Sequence, residues 1–341
     1  MKQVAILGGS FDPVHLGHVQ MARFSLEHLG MDEVWFLPNY QTPLKDRQLT
    51  ENEHRLHMLE IAINGESRFK IETYEMDSKQ KCYTVDTLKA LKKLYPDVAF
   101  SWLIGNDQLK QFSSWKDPDT LVQLANFICF DRDGDLQETC YDIRRVHMPM
   151  VPVSSSDIRK GNKLNYLNLD VYGYILEHRL YVKDFLVDRL GSKRRMHCES
   201  VANLCEDLAR CHGLNTNKAY LIGLFHDIAK HLETKEQEKW MQAICPENMH
   251  WPVPVWHGFV GAEVLKRIFF ISDPIIYNAI YHHVLGDYED PYAMIVYVAD
   301  KLDPSRGYDS SQTIQLCKQD LVAGFLEVHH QQDIFIAKEG K

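Results

Sequence analysis

This 341-residue chain has no long apolar run, no Cys-x-x-Cys pair and no surplus of basic charge. Each absence excludes something. A membrane-spanning helix needs about 18 or more consecutive apolar residues, and no segment approaches that. The opening "MKQVAILGGSF" is apolar only over Val4–Leu7 before two glycines, too short for a secretory leader and better suited to a first strand. The eight cysteines (Cys82, Cys129, Cys140, Cys198, Cys205, Cys211, Cys245, Cys317) are scattered, so they read as free thiols in a reducing compartment rather than a disulfide frame or zinc knuckle. A net charge of −9 argues against a general nucleic-acid binder, which would carry a basic stripe. The halves 1–182 and 183–341 carry −4 and −5, so neither is a basic arm or an acidic tail. Repeats, low-complexity segments and a Pro/Gly/Ser-rich linker are also missing. The expectation is a cytoplasmic protein without nucleic-acid or membrane partners, and a homo-oligomer is left open.

What is present begins with length, which exceeds one usual domain and predicts two. Up to about residue 130, strand-like runs (4–7, 33–38, 69–72, 100–105, 126–130) alternate with amphipathic segments (17–29, 51–63, 84–95, 118–125). Val85, Leu88, Leu91 and Leu94 recur at helical spacing in the third of these. Such alternation predicts a parallel α/β sheet with helices on both faces and ligands at the carboxyl ends of the strands. After about residue 180 helical periodicity dominates (196–211, 217–230, 234–243, 257–269, 273–283, 291–302, 313–329), which predicts an all-α second domain. The expected division is 1–182 and 183–341.

Two clusters carry chemistry. In "GGSFDPVHLGHV", which starts at residue 8, Gly8 and Gly9 let the backbone turn tightly and approach a ligand. A helix N-terminus behind them attracts phosphate. His15 and His18, three apart, can face one point, with Gly17 leaving room between them. Two histidines over such a turn suit a reaction that builds charge on phosphoryl oxygens.

This segment resembles the phosphate-binding motif of the nucleotidyltransferase superfamily, and more closely that of bacterial nicotinate mononucleotide adenylyltransferases. "PNYQTPLK" (38–45), "CYTVDTL" (82–88), "WLIGNDQLKQFSSWK" (102–116) and "VSSSDIR" (153–159) follow in the order that family shows. The resemblance covers roughly 1–182 and implies a Rossmann-like fold. It implies ATP contacts at Gly8, Gly9, Ser10, Phe11, Gly105, Asp107, Ser155 and Ser156. Tyr83, Thr84 and Trp115 would hold the nicotinate nucleotide. His15, His18, Lys45 and Arg159 would neutralise charge while AMP passes from MgATP to the mononucleotide, with Mg²⁺ carried mainly by ATP oxygens. Asn106 departs from a position where a small residue is common, with little expected effect.

The second cluster is "LIGLFHDIAK" (221–230). A buried Asp227 beside a buried His226 is costly unless both are paired or ligating. Partners must come from other helices, and His197, His257, His283 and Asp300 sit in similar apolar contexts. The order His…His-Asp…Asp resembles the HD superfamily of metal-dependent phosphohydrolases, over roughly 185–330. The segments "HG", "AIYHHVLG" and "ADK" fit the bacterial branch that cleaves diadenosine tetraphosphate to two ADP. The resemblance implies two transition metals, often iron. His197, His226, Asp227 and Asp300 would hold one, and Asp227 would bridge to a second on His257 and His283. Lys230 and Arg306 would contact phosphate. Val284 stands where that branch usually has Thr, which leaves His282 and His283 as competing ligands; His283 is favoured. Two other readings stay open: hydrolysis of a different nucleotide, or a nucleotide-sensing regulatory module.

Overall fold

The computed structural model describes residues 1–41, 48–131, 139–149, 151–307 and 309–339. The chain forms two compact units. One comprises Met1–Ile158 and Asn165–Leu176; the other comprises Arg159–Leu164 and Glu177–Lys341.

The first unit runs β1 (Lys2–Gly9), α1 (Leu16–His28), β2 (Glu33–Pro38), α2 (Asn52–Ile63), β3 (Phe69–Ile71), α3 (Tyr74–Asp77), α4 (Thr84–Leu94), β4 (Val98–Gly105), α5 (Asn106–Leu109), α6 (Pro118–Leu124), β5 (Asn126–Asp131) and β6 (Ile143–His147). α7 (Ser155–Arg159) and α8 (Leu169–Glu177) follow. The six strands are all parallel, in the order β3-β2-β1-β4-β5-β6. Successive residues Val4, Ala5, Ile6 and Leu7 point to opposite faces, yet all four are buried, so helices cover both faces of the sheet. On one face Val85, Leu88 and Leu91 of α4 pack with Val4, Ile6 and Phe100. Each such side chain is worth about 1.5–3 kcal/mol of burial.

β6 was not foreseen. Its "IRRVH" has neither an apolar run nor clean alternation, and it pairs only with β5 at the sheet edge, where exposed charge is tolerated. The order reverses between β1 and β4, whose carboxyl ends are Gly9 and Gly105. That crevice is where open parallel sheets bind ligands.

The second unit is helical: α9 (Ser192–Cys211), α10 (Thr216–Phe225), α11 (Thr234–Ile244), α12 (Val253–Arg267), α13 (Pro274–His282), α14 (Pro291–Leu302), α15 (Ser311–Gln319) and α16 (Leu321–Glu339). Two differences from the periodicity have local causes. The single helix expected at 313–329 is two, broken where Asp320 adopts extended φ/ψ (−143°, 104°). α16 then folds back so closely that a Cβ on Gly324 would lie 2.7 Å from Cys317 Cα. The helix expected at 217–230 stops at Phe225, because the chain tightens into i→i−3 bonds (Ile228 N–H to Phe225 O, 3.0 Å; Lys230 N–H to Asp227 O, 2.8 Å). Among the described residues no helix is long and apolar enough to cross a membrane.

Candidate active sites

In the first unit the turn after β1 is shaped by close packing. A Cβ on Gly8 would meet the Trp102 ring at 2.8 Å, so only glycine lets β1 and β4 converge there. Phe11 takes φ 46° and is fully buried, and the Asp12–Pro13 peptide is cis. Arg55 is completely buried and donates to Ser10 O (2.6 Å), Asn39 O (2.7 Å) and Thr50 O (3.0 Å), tying this turn to the exit of β2. Sequence reasoning missed Arg55; an Arg in an amphipathic helix looks like a solvated one.

His15 caps α1, and its ring stacks on that of His18 with centroids 3.7 Å apart and planes at 23°. A Cβ on Gly17 would sit 3.1 Å from the His15 ring, which accounts for the glycine between them. The His15 backbone N–H donates to His18 Nδ1 at 3.2 Å. Nδ1 of His18 is therefore an acceptor, and the proton of the neutral ring lies on Nε2. His18 is thus set up as a donor, the polarity an anionic oxygen needs.

The other predicted residues lie as follows. Gly105 ends β4 and caps α5; its N–H donates to Gln108 Oε1 at 3.1 Å. A Cβ there would come 2.9 Å from Asp107 Oδ1. Asn106 donates to Asp131 Oδ1 (2.9 Å), so its amide fastens α5 to β5. Tyr83 and Thr84 start α4, with Lys116 Nζ 4.7 Å from the Tyr83 ring centroid. Trp115 is partly buried against the core, near Phe112 (5.3 Å), and its indole N–H makes no hydrogen bond among the described residues. Ser155 donates to Pro13 O at 2.8 Å, joining the start of α7 to the first turn. Ser154 and Asp157 cap α7 reciprocally, Ser156 is exposed, and Arg159 ends the helix. Lys45 lies outside the described residues.

In the second unit the predicted ligands converge. His197 comes from α9, His226 caps α10 with Asp227 next to it, His257 comes from α12, His283 caps α13, and Asp300 comes from α14. Close helix contacts permit this. A Cβ on Gly223 would lie 2.7 Å from Ala202 Cα, so α9 and α10 touch backbone to backbone. A Cβ on Gly258 would meet Val284 at 3.1 Å and Tyr281 O at 3.2 Å, which makes Gly258 the point where α12 meets the end of α13.

Three of the four histidines are fixed by one device. Nδ1 of His226, His257 and His283 bonds the carbonyl three residues earlier: Gly223 O (2.7 Å), Pro254 O (2.7 Å) and Ile280 O (2.6 Å). His197 Nδ1 bonds Asp303 Oδ2 at 2.6 Å. A carbonyl only accepts, so these Nδ1 atoms carry the protons and each neutral ring keeps a lone pair on Nε2. Those Nε2 atoms face carboxylate oxygens: His197 to Asp300 at 3.2 Å, His226 to Asp227 Oδ2 at 3.4 Å, and His257 to Asp227 Oδ1 at 3.0 Å. Acceptor opposite acceptor calls for a cation between them. Nε2 of His197, His226 and His283 is buried with no hydrogen-bond partner among the described residues, an arrangement that costs about 1–3 kcal/mol per atom unless a ligand fills it. Imidazole nitrogens with carboxylates suit a divalent transition metal.

The donor atoms form overlapping groups. His197, His226 and Asp300 make one, Asp227, His257 and His283 another, and Cys198, His226 and Asp227 a third. Cys198 was missed, and burial pushes its thiol well above the usual range, which keeps it protonated. Burial also works against ionised Asp227, but the positive charge and hydrogen bonds that His226 and His257 supply when their Nε2 atoms are protonated outweigh it and hold the carboxyl well below its ordinary value. For His283, burial and then the neighbouring His257 and His226 keep the ring neutral.

Cations rim the cluster: Arg194 to Asp227 Oδ2 (2.7 Å), Arg306 to Asp300 Oδ1 (2.7 Å), Lys301 to Asp300 Oδ2 (3.1 Å), and Lys230 to His257 Nε2 (3.3 Å). Arg194 and Asp303 were not anticipated. Asp303 is fully buried and also accepts from Ser200 (2.5 Å), and the acidic "DKLD" spacing is the one signal that could have drawn attention to it. His282 is outside the cluster and bonds Asp287.

A Cytidylyltransferase-like family model matches residues 6–161, and an HD domain model matches residues 194–305. A Geobacillus kaustophilus protein described as a probable nicotinate-nucleotide adenylyltransferase is 38% identical over 218 residues, 62% of this chain and 100% of the relative. A Mycoplasma pneumoniae protein described as a probable nicotinate-nucleotide adenylyltransferase/Ap4A hydrolase is 27% identical over 328 residues, 93% of this chain and 95% of its own length. A solved Plasmodium falciparum nicotinic acid mononucleotide adenylyltransferase, complexed with NaAD, is 27% identical over 53% of this chain and 98% of its own, with a TM-score of 0.47.

Proposed function

The chain belongs to the nicotinate-nucleotide adenylyltransferase family, and on that premise we propose that it is a bifunctional enzyme. Residues 1–182 transfer AMP from MgATP to nicotinate mononucleotide, giving deamido-NAD and pyrophosphate. Residues 183–341 hydrolyse diadenosine tetraphosphate to two ADP.

In the transfer, a phosphate oxygen of the mononucleotide attacks the α-phosphorus, and the bond to the β-phosphate oxygen breaks. No protein nucleophile is needed; the residues position two anions and meet the charge that grows between them. The His18 Nε2–H, oriented by the His15 backbone N–H, supplies one donor, and His15, Lys45 and Arg159 supply further positive potential. Gly8, Gly9, Ser10, Phe11, Gly105, Asp107, Ser155 and Ser156 line the ATP side, and Tyr83, Thr84 and Trp115 the nicotinate side.

In the hydrolase, His197, His226, Asp227 and Asp300 would hold one metal. His257 and His283 would hold a second, with Asp227 shared between them. The observation carrying this reading is that the two oxygens of Asp227 face different histidines, Oδ2 towards His226 and Oδ1 towards His257. A divalent pair there, iron by family resemblance, would activate water at neutral pH and neutralise phosphate charge. Lys230 and Arg306 contact the remaining phosphates.

The test is direct. The purified chain is given nicotinate mononucleotide with MgATP, and separately a panel of nucleotides and dinucleoside polyphosphates, and the products are identified. Deamido-NAD and ADP are expected. Absence of deamido-NAD removes the transferase, and faster turnover of another nucleotide reassigns the hydrolase.

A further inference from the structure

Beside the buried cluster lies an aromatic pair that the hydrolysis does not use. α13 ends at His282, whose ring is stacked on Tyr288 with centroids 4.9 Å apart and planes at 17°. Tyr281 adds a tilted contact to His282 at 4.9 Å. The arrangement is held from three sides. His282 Nδ1 bonds Asp287 Oδ1 at 2.7 Å, and the Gly286 N–H donates to His282 O at 2.8 Å. Gly286 has φ 69°, and a Cβ on it would lie 2.5 Å from the Tyr297 ring, so the turn that presents Tyr288 tolerates only glycine. Tyr288 is nonetheless 38% exposed. A solvent-facing ring already stacked on a held His282 loses less freedom when a flat ligand stacks on it than an unsupported ring would.

Its location identifies the ligand class. His282 adjoins His283 in the chain, with Cα atoms about 3.8 Å apart. His283 turns into the buried cluster while His282 turns out to Tyr288. Lys301, which donates to His283 O at 3.1 Å, and Arg306 stand at the same rim and suit phosphates. A ligand with phosphates at the cluster and a planar heteroaromatic group beside them matches both features.

We propose that the Tyr288–His282 pair is a stacking platform for a nucleobase of the phosphohydrolase substrate. The assignment rests on the phosphohydrolase reading and deepens it. It makes the site selective for nucleotides over base-free polyphosphates, through stacking that tolerates more than one base.

Three forms of the full metal-loaded chain test this: wild type, Tyr288→Ala and Tyr288→Phe. Each is assayed on diadenosine tetraphosphate and on inorganic tripolyphosphate. Tyr288→Ala should raise KM for the dinucleotide about tenfold with little change in kcat, leave tripolyphosphate kinetics unchanged, and be rescued by Tyr288→Phe. Photolabelling with 8-azido-ADP, mapped by mass spectrometry, should mark residues 281–288. Equal losses on both substrates, or unchanged kinetics on both, overturn the platform. If wild type cleaves neither substrate but turns over another nucleotide, that nucleotide takes the dinucleotide's place in the same comparison. If it turns over no nucleotide, the phosphohydrolase reading fails and the platform falls with it. With hydrolysis present, photolabel found only outside 281–288 removes the platform alone.

Discussion

The histidines of the two units are prepared for opposite charges. In the sheet unit a backbone N–H donates to His18 Nδ1, which leaves Nε2–H as a donor facing an incoming anion. In the helical unit Nδ1 donates to a carbonyl or to Asp303 at all four ring positions, which leaves Nε2 lone pairs facing inward for a cation. The same side chain, differing only in the partner of one nitrogen, suits a phosphate in one place and a metal in the other. The supports differ in the same sense. His18 stands in the first turn of α1, directly behind the turn that follows β1. The clustered residues come from five helices and their ends, with α9 against α10 and α12 against the end of α13 at backbone distance, so the cluster is built into the core.

The largest test of that contrast is Asp227→Ala. It should lower phosphohydrolase turnover by roughly a thousandfold or more, because among the described residues Asp227 is the carboxylate that offers one oxygen to His226 and the other to His257. Metal content, read by elemental analysis, should fall with it, and melting of the helical unit should shift down while adenylyl transfer stays near wild type. Retained metal with full activity would break the comparison on the helical side.

Next is His18→Ala, expected to slow adenylyl transfer by about a hundredfold, or ~3 kcal/mol, while nicotinate mononucleotide binding changes little. Hydrolysis should be untouched. Near-normal transfer would remove the donor role of His18.

A third test contrasts buried acids with and without cations. Glu75 of α3 is buried with only the Thr87 hydroxyl bonded to its carboxylate (2.7 Å), and burial pushes its pKa from 4.5 up to about 7. Its folded pKa lies above the unfolded one, so wild type carries no penalty below pH 4.5. Stability of the sheet unit should then fall by up to about 3 kcal/mol as pH rises through 7. Urea titrations of Glu75→Gln should lose that slope; an unchanged slope would show that Glu75 is not its source.

The smallest expected effect is that of Asp303→Asn. It keeps the shape but weakens the carboxylate that orients His197, and metal affinity should drop about tenfold by competition with a chelator, with transfer unaffected. Ser200 and Ser305 also donate to the Asp303 carboxylate, and no change in affinity would mean that they, not His197, are the reason Asp303 is buried.

Much of this is legible in the order of the residues alone. Strand and helix alternation up to residue 130 carries a period, so the sheet and its ligand-binding edge followed from it. β6 did not, since Arg144 and Arg145 at an edge leave no hydrophobic signature. The break at Asp320 was invisible because apolar spacing continues across it. Arg55 and Arg194 resemble surface arginines in sequence and differ only in what surrounds them.

The sequence by itself determined the order of motifs, the family, and the inventory of imidazoles and carboxylates that each half can offer. It favoured His283 over His282 without a physical ground for separating two residues that are adjacent and alike. The fold separates them: His283 is buried among the other histidines, while His282 faces Asp287 and Tyr288. Nor could it say which nitrogen of any ring is free. That depends on one hydrogen bond, made to a carbonyl three residues back or to Asp303, 106 residues away from His197, and only the folded backbone brings those partners within 3 Å.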